Sequence, residues 1–380
     1  MNEQKTKVLY LVNIPSPYRV DFFNELGKHC ELTVLFEKQT SKERNDSWHK
    51  NHFVNFKGIF LKGIKVRNNL TLCLGVTKYL NKKKYDIIVV GGYATPTGML
   101  TIETLKLKKI PFILNIDGGI VKKDENWRFF LKKHFISSAT YWLSTGEHTN
   151  KYLLKYGALK ENIFLYPFTS LHRKDLLTIP INSNEKNKLK KELKIQEEKI
   201  VLSIGQFIPR KGFDTLLKAA EKIPEKYGIY IVGGEPPTEY IDLKTKMNLH
   251  NVHFIGFKSK EELIKFYKTS DLFVLPTRED IWGLVINEAM SFGLPVITTN
   301  KCVAGLELIE ENKNGYIIQV NDSDMLGERI NKILSNGTLH EQISLNNIKK
   351  IQAFTIEKMA LKHIEIFKTI VNKGPKEHGY

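Results

Sequence analysis

The sequence predicts an α/β fold of two doubly wound domains, and three observations predict it. The chain has 380 residues, and cores beyond roughly 250–300 residues tend to split. Short runs rich in Val, Ile, Leu and Phe alternate with helical stretches, and they fall into two series. Continuous apolar strands alternating with helices mean parallel sheets covered on both faces. A polar stretch without strand pattern separates the two series.

The first series is VLYLV at 8–12, LTVLF at 32–36, DIIVV at 86–90 and PFILNI at 111–116. The second is KIVLSI at 199–204, GIYIV at 228–232, VHFIG at 252–256, DLFVLP at 271–276 and LPVITT at 294–299. Between them TIPINSNEKNKLKKELKIQEE carries Pro180 and Asn182, which places a linker near 176–190. The expected domains are 1–178 and 190–353, followed by a helix and tail over 354–380. FTIEKMALKHIEIFKTIV at 354–371 reads as an amphipathic helix with Met359, Leu361, Ile364 and Ile366 near one side. The polar tail GPKEHGY is expected to fray.

An apolar fraction of 42% with 11% aromatics belongs to a chain that buries a substantial core. Cys30, Cys73 and Cys302 lie far apart with no CxxC pair, so a reducing compartment and a cytoplasmic location are expected. The apolar run at the N-terminus stops at prolines and an arginine, as a first strand does and a signal segment does not. No apolar stretch approaches the roughly 18–20 residues that span a bilayer. Residues 1–180 hold 29 Lys and Arg against 15 Asp and Glu, so this half carries +14 of the net +17. Lysines cluster at Lys82–Lys84, at Lys106, Lys108 and Lys109, at Lys122 and Lys123, and at Lys132 and Lys133. Such clusters suit an anionic lipid surface or nucleic acid, or simply a solvated face. No recognisable reading motif and no aromatic–basic interleaving of the kind single-strand binders use accompanies them, which argues against nucleic acid as a partner.

The most informative segment is PTREDIWGLVINEAMSFGLPVITT at 276–299. A strand ends at Pro276, a loop carries Glu279 and Asp280, Gly283 opens a helix, and Gly293 and Pro295 close it. Asp280 and Glu288 thus flank the amides at the start of a helix, where an anion such as a diphosphate is favoured. Two ionised carboxylates there accept hydrogen bonds from sugar and ribose hydroxyls. In SIGQFIPRKGFDTLLKAA at 203–220, Arg210 and Lys211 stand before the turn at Gly212 and can neutralise a diphosphate leaving group without a metal.

Together these segments resemble the family-4 retaining glycosyltransferases, which have the GT-B fold of two Rossmann-like domains facing a central cleft. Asp280-x7-Glu288, within D-I-W-G-L-V-I-N-E-A-M, resembles the family's acid-x7-acid signature. The family usually has Glu first, so Asp280 is one methylene shorter and Glu279 is a candidate to share its task. The loop at 205–212 resembles G-R-x-x-x-x-K-G. By that match Lys211 is the diphosphate cation, and Arg210 is the candidate second charge because Gln206 stands where the family has Arg. The resemblance also implies donor contacts from Trp282, Gly283 and Leu284. IVGGEP at 231–236 and VHFIGF at 252–257 resemble the loops around the nucleotide base, implicating Gly233, Gly234 and the backbone near Phe257 and Lys258.

IPSPYRVDFFNEL at 14–26 takes the place of the family's glycine-rich first loop, where Arg19 either meets a phosphate or lies on a helix surface. Where the family commonly has an active-site His, this chain reads PFILNIDGGI, with Asp117 before Gly118 and Gly119. Asp117 either replaces that His near the reacting sugar or caps the turn. His148 is a weaker candidate in a polar loop.

The resemblance implies an enzyme that moves a sugar from a nucleotide diphosphate donor with retention; it fixes neither base nor sugar, UDP-sugar is the first expectation, and with the cations already supplied no metal or other cofactor is expected. Its catalytic candidates are Asp117, Asp280 and Glu288, and its donor candidates are Arg19, Arg210, Lys211, Gly234, Phe257, Glu279, Trp282, Gly283 and Leu284. The basic half suits a peripheral enzyme at the inner membrane face, acting on a lipid-linked glycan in surface polysaccharide assembly. The competing readings are a non-catalytic GT-B partner subunit, prompted by Gln206, Asp280 and Asp117, and a nucleic-acid-binding protein, prompted by the charge.

Overall fold

The computed structural model describes residues 5–39, 53–67, 70–122 and 126–373. Lys123 and the tail GPKEHGY lie outside the described residues. The chain forms two compact units, Met1–His172 with Phe354–Tyr380, and Arg173–Ala353.

Unit 1 begins with β1 (Lys7–Val12), α1 (Pro17–Leu26), β2 (Glu31–Phe36), β3 (Lys57–Phe60), β4 (Ile64–Arg67) and β5 (Leu70–Leu72). It continues with β6 (Ile87–Val90), α2 (Pro96–Leu107), β7 (Ile113–Ile116), α3 (Trp127–Ser137), β8 (Tyr141–Ser144), α4 (Glu147–Lys155) and β9 (Ile163–Leu165). Seven of its strands form a parallel sheet in the order β3-β2-β1-β6-β7-β8-β9, and β4 with β5 makes a small antiparallel pair. The central strands β6, β7 and β8 are buried at every position, which is why their runs are apolar on both faces.

Unit 2 consists of α5 (Ser183–Glu192), β10 (Lys199–Ile204), α6 (Phe213–Ala220), β11 (Tyr227–Val232), α7 (Thr238–Lys246), β12 (Val252–Ile255), α8 (Lys260–Thr269) and β13 (Leu272–Leu275). Then come α9 (Leu284–Ser291), β14 (Val296–Thr299), α10 (Val303–Leu308), β15 (Gly315–Ile318), α11 (Ser323–Ser335) and α12 (Gly337–Ile351). Its sheet is parallel with the order β12-β11-β10-β13-β14-β15. The last helix, α13 (Ile356–Asn372), returns to unit 1.

In each sheet the first strand is flanked on one side by its successor and on the other by a strand reached later, so the winding reverses at β1/β6 and at β10/β13. Loops at the carboxyl ends of strands flanking such a reversal are where α/β sheets bind ligands.

Two segments differ from the sequence expectation. The stretch expected as a linker at 176–190 is tied into unit 2: Leu177 N–H donates to the Ser291 carbonyl at 3.2 Å, and Lys186 reaches the Asp271 carboxylate at 2.6 Å. Asn182 caps α5 there by accepting from the Glu185 amide. Helix α13 buries Ile356, Met359, Ala360, His363, Ile366, Phe367 and Ile370, whereas Leu361 is 53% exposed. The buried stripe follows the 3.6-residue period through His363, whose ring packs 4.8 Å from Phe22 of α1 and 4.6 Å from Tyr166. Reading histidine as a polar residue shifts the expected face onto Leu361.

Candidate active site

The loop after β10 runs through Gly205, Gln206 and Phe207 into one 3-10 turn at Pro209–Lys211, and Gly212 then opens α6. Gly212 has φ +69°, and a Cβ there would lie 2.2 Å from the Pro276 carbonyl oxygen. Only glycine allows the post-β10 loop to lie this close to the post-β13 loop. Further bonds hold the two loops together. The Arg278 amide donates to the Arg210 carbonyl at 2.8 Å, Thr277 Oγ1 donates to the same carbonyl at 2.9 Å, and the Arg278 guanidinium pairs with Asp214 at 2.6 Å.

This scaffold brings together residues that are about seventy positions apart in sequence. The Lys211 ammonium lies 2.6 Å from an Asp280 carboxylate oxygen, and both side chains are 14% exposed. Arg210 Nη1 lies 3.6 Å from the same oxygen and donates to the Glu279 carbonyl at 2.7 Å. Arg210 itself is 47% exposed, and Gln206 on the same loop is exposed as well. Two cations from the post-β10 loop thus converge on the Asp280 carboxylate across the β10/β13 reversal.

Asp280 is fixed from behind: its amide donates to the Lys301 carbonyl at 2.8 Å, and its carbonyl accepts from Val303 at 3.1 Å. Gly283, at φ +99°, then opens α9 with no side chain capping it, and Leu284 follows half-buried. The Trp282 side chain, expected at the donor, is 4% exposed and points inward because its indole N–H donates to Asn287 Oδ1 at 2.8 Å. Its carbonyl accepts from the Ala304 amide and from the Cys302 thiol, so Trp282 wedges the loop against α10. Burial, with Asp280 next in weight, pushes that thiol up to about 12.

Glu288 is half-buried on α9, and its carboxylate accepts from the Tyr267 hydroxyl at 2.9 Å. Burial first, and Glu288 second, hold the Tyr267 phenol well above the ordinary tyrosine range, so it stays a donor. Gly234, at φ +123°, follows β11, and Phe257, 53% exposed, follows β12. All four loops therefore lie along one edge of the sheet in the strand order β12-β11-β10-β13.

In unit 1 the structure joins Arg19 and Asp117. Arg19 is not on a helix surface: it is 8% exposed, and its guanidinium pairs with an Asp117 oxygen. The other Asp117 oxygen accepts from Tyr166 at 3.0 Å and from Asn115 Nδ2 at 2.7 Å. Burial opposes the Arg19 charge, but Asp117 and the phenols of Tyr18, Tyr10 and Tyr166 outweigh it and keep the guanidinium above its ordinary range. His148 sits half-buried in the first turn of α4. Tyr267, Tyr166 and the Arg278–Asp214 tie escape sequence reasoning, since no motif links them to their partners. Gly91 and Gly92, at the end of β6 beside the β1/β6 reversal, could have been found from the same strand-then-GG signal noted at Gly233 and Gly234. Among the described residues no group of three or more His, Cys, Asp or Glu side chains is arranged to hold a metal ion.

Both sheets and their reversal-point loops define a GT-B fold, and comparison with known proteins agrees. Residues 184–350, all in unit 2, match the family model described as glycosyl transferases group 1. An uncharacterized glycosyltransferase of Methanocaldococcus jannaschii is 29% identical over 50% of this chain and 50% of its own length. A second from the same organism is 25% identical over 82% of this chain and 81% of its own. The lipopolysaccharide glucosyltransferase WaaG of Escherichia coli is 28% identical over 42% and 43%. The chain thus spans half or less of the length of the first and third of these relatives. Among solved structures, a glycosyltransferase from Rickettsia africae superposes with TM-score 0.76 at 16% identity, over 98% of this chain and all of that one. Anabaena HepE in complex with UDP-glucose superposes with TM-score 0.74 at 16% identity, over 96% and 99%. These matches support a glycosyltransferase family.

Proposed function

We propose that the chain is a retaining glycosyltransferase of the family-4 type, which moves a sugar from a nucleotide diphosphate donor to a glycan acceptor in cell-surface polysaccharide assembly. The observation that carries this reading is the Lys211–Asp280–Arg210 cluster across the β10/β13 reversal, beside the uncapped start of α9. Lys211 and Arg210 neutralise the diphosphate as it leaves, and the first amides of α9 add their partial positive charge. An ammonium has three N–H donors, so Lys211 takes a phosphate oxygen while keeping Asp280. Asp280, with Glu279, accepts hydroxyls of the donor sugar, and Glu288, oriented by Tyr267, accepts ribose hydroxyls. Gly234 and Phe257 border the base.

With the leaving group so stabilised, the acceptor oxygen attacks the anomeric carbon on the face from which the diphosphate departs. The departing phosphate takes the acceptor proton, and no enzyme base or metal is required. Unit 1 is assigned the acceptor, with Asp117 as the carboxylate that supports developing positive charge and Arg19 as its partner. A lipid-linked glycan at the inner membrane face is the acceptor class that suits the basic half.

A panel of UDP-, GDP-, ADP- and dTDP-sugars, headed by UDP-glucose, tests the reading through thermal stabilisation and slow donor hydrolysis. One base should stand out in both measurements. A chain that no member of the panel stabilises and that hydrolyses none of them is not this enzyme.

A further inference from the structure

Surface helices normally turn polar residues to water, and α3 exposes an apolar stripe beside its polar ones. Trp127, Phe130, Leu131 and His134 recur at i, i+3, i+4 and i+7 and therefore share one face. Trp127 is 68% exposed, Phe130 66% and Leu131 37%, while the core side of the helix is held by Phe135 and Ile136. Single exposed apolar residues need no explanation, but a continuous stripe does. Cations rim this one: Arg128 lies over the Trp127 ring at 5.6 Å, and Lys133 is exposed on the flank. The helix contains no acidic residue.

The stripe runs into a second basic surface. At its end His134 lies 2.5 Å from Glu103 of α2, whose last turn and cap carry Lys106, Leu107 at 84% exposure, and Lys108. Lys108 donates to the Leu80 carbonyl at 3.2 Å, joining α2 to the segment of Lys82 and Lys83. An open basin of about 770 Å³ there is lined by Lys78, Lys82, Lys83 and Lys108. Aromatic side chains bordered by cations, beside a polylysine surface, match a bilayer with anionic head groups: the rings enter the head-group boundary and the cations meet phosphate. A second copy of this chain, with the same basic surface, would be repelled by it.

We propose that the outer face of α3, with Trp127, Phe130 and Leu131 as inserting groups, together with the lysines at the end of α2, docks unit 1 on an anionic lipid bilayer. This deepens the proposed function by naming the surface that brings the enzyme to a lipid-linked acceptor, and it rests on that reading. Docking is tested without donor or turnover, so its failure is distinct from failure of the enzymatic assignment.

The full chain is mixed with phosphatidylcholine vesicles, with and without 30% phosphatidylglycerol, and bound protein is sedimented. Binding should require phosphatidylglycerol and fall with salt. Trp127 emission, taken as the difference between wild type and Trp127→Phe, should shift to the blue on binding. The double variant Trp127→Ser with Phe130→Ser, and separately Lys82→Glu with Lys83→Glu, should each bind at least about tenfold more weakly while retaining the wild-type melting temperature. Wild-type binding by both double variants overturns the proposal. So does a wild-type dimer in lipid-free ultracentrifugation that the Trp127→Ser, Phe130→Ser variant converts to monomer, since the stripe would then bury a second copy.

Discussion

Removing the Lys211 ammonium tests the proposed site most directly. This ammonium is 2.6 Å from Asp280, and both side chains are only 14% exposed, so water replaces the lost contact poorly. A hydrogen bond to a charged group is worth roughly 1.5–3 kcal/mol. If Lys211 meets the departing diphosphate with a contact of that class, Lys211→Ala lowers transfer by about 10- to 150-fold, at 1.36 kcal/mol per tenfold. The same change leaves Asp280 to Arg210 at 3.6 Å, a weaker partner, so some stability goes too. A loss of about 1 kcal/mol moves the melting temperature by roughly 2–4 °C in a unit of this size. Glu288→Gln is the companion: it keeps an acceptor for Tyr267, removes the charge, and is expected to cost at least about tenfold in transfer. The assay is initial-rate release of nucleoside diphosphate, with melting temperature measured on the same samples. Two folded variants with wild-type rates would show that the donor site lies elsewhere. A destabilised Lys211→Ala with wild-type turnover would make the pair purely structural.

Transfer is expected to survive excess chelator, because Lys211 and Arg210 supply the charge that a divalent ion would bring; activity abolished by chelation and restored by Mn²⁺ contradicts this. Burial pushes His363 down to about 4 from 6.5, so it stays neutral in the folded chain while the unfolded chain takes up a proton as the pH falls below 6.5. About 3 kcal/mol is therefore lost between pH 6.5 and pH 4, and urea unfolding of His363→Leu should lack that part of the slope; an identical slope in both proteins refutes the assignment. Asp117→Asn is expected to lose some turnover and Asp117→Ala most of it, and Asp117→Ala should also lose roughly 3–5 kcal/mol of stability because it leaves Arg19 buried without its counter-ion. A destabilised but fully active Asp117→Ala would remove Asp117 from the chemistry.

Legibility in the sequence follows burial and range. Strand β10 coincides with its apolar run at 199–204 because both of its faces are covered. Strands β8 and β15 lie outside the two apolar series: YWLS and GYII join the sheets through pairing with β7 and β9 and with β14. The site was legible as two motifs but not as one cluster. Lys211 and Asp280 meet because β10 and β13 are adjacent, and that adjacency is created by the winding reversal, which leaves no local mark on either segment. Arg19 and Asp117 illustrate the same limit, as do Tyr267 and Glu288. Each pair is specified by a crossover connection, and a carboxylate looks the same in sequence whether it faces water or a buried cation.

The three departures from the family pattern acquire a common electrostatic logic. Where Gln206 takes the place of a cation, Arg210 reaches the Glu279 carbonyl and the Asp280 carboxylate from four residues further along, so the post-β10 loop still carries two positive charges. Asp280, one methylene shorter than the usual acid, is held at Lys211 by backbone bonds to Lys301 and Val303, which offset its shorter reach. Both cations therefore stand beside the uncapped start of α9, whose first amides add partial positive charge. In unit 1, by contrast, Arg19 and Asp117 cancel inside the protein, so the strong positive charge of that half acts at its outer lysines rather than at this buried pair. In the proposed reading, attraction of a diphosphate falls to the loops of unit 2, and attraction of an anionic surface falls to the exterior of unit 1. Raising ionic strength should weaken vesicle binding steeply, since exposed lysines are screened over about 8–10 Å, and should leave the 2.6 Å Lys211–Asp280 pair, at 14% exposure, nearly unchanged.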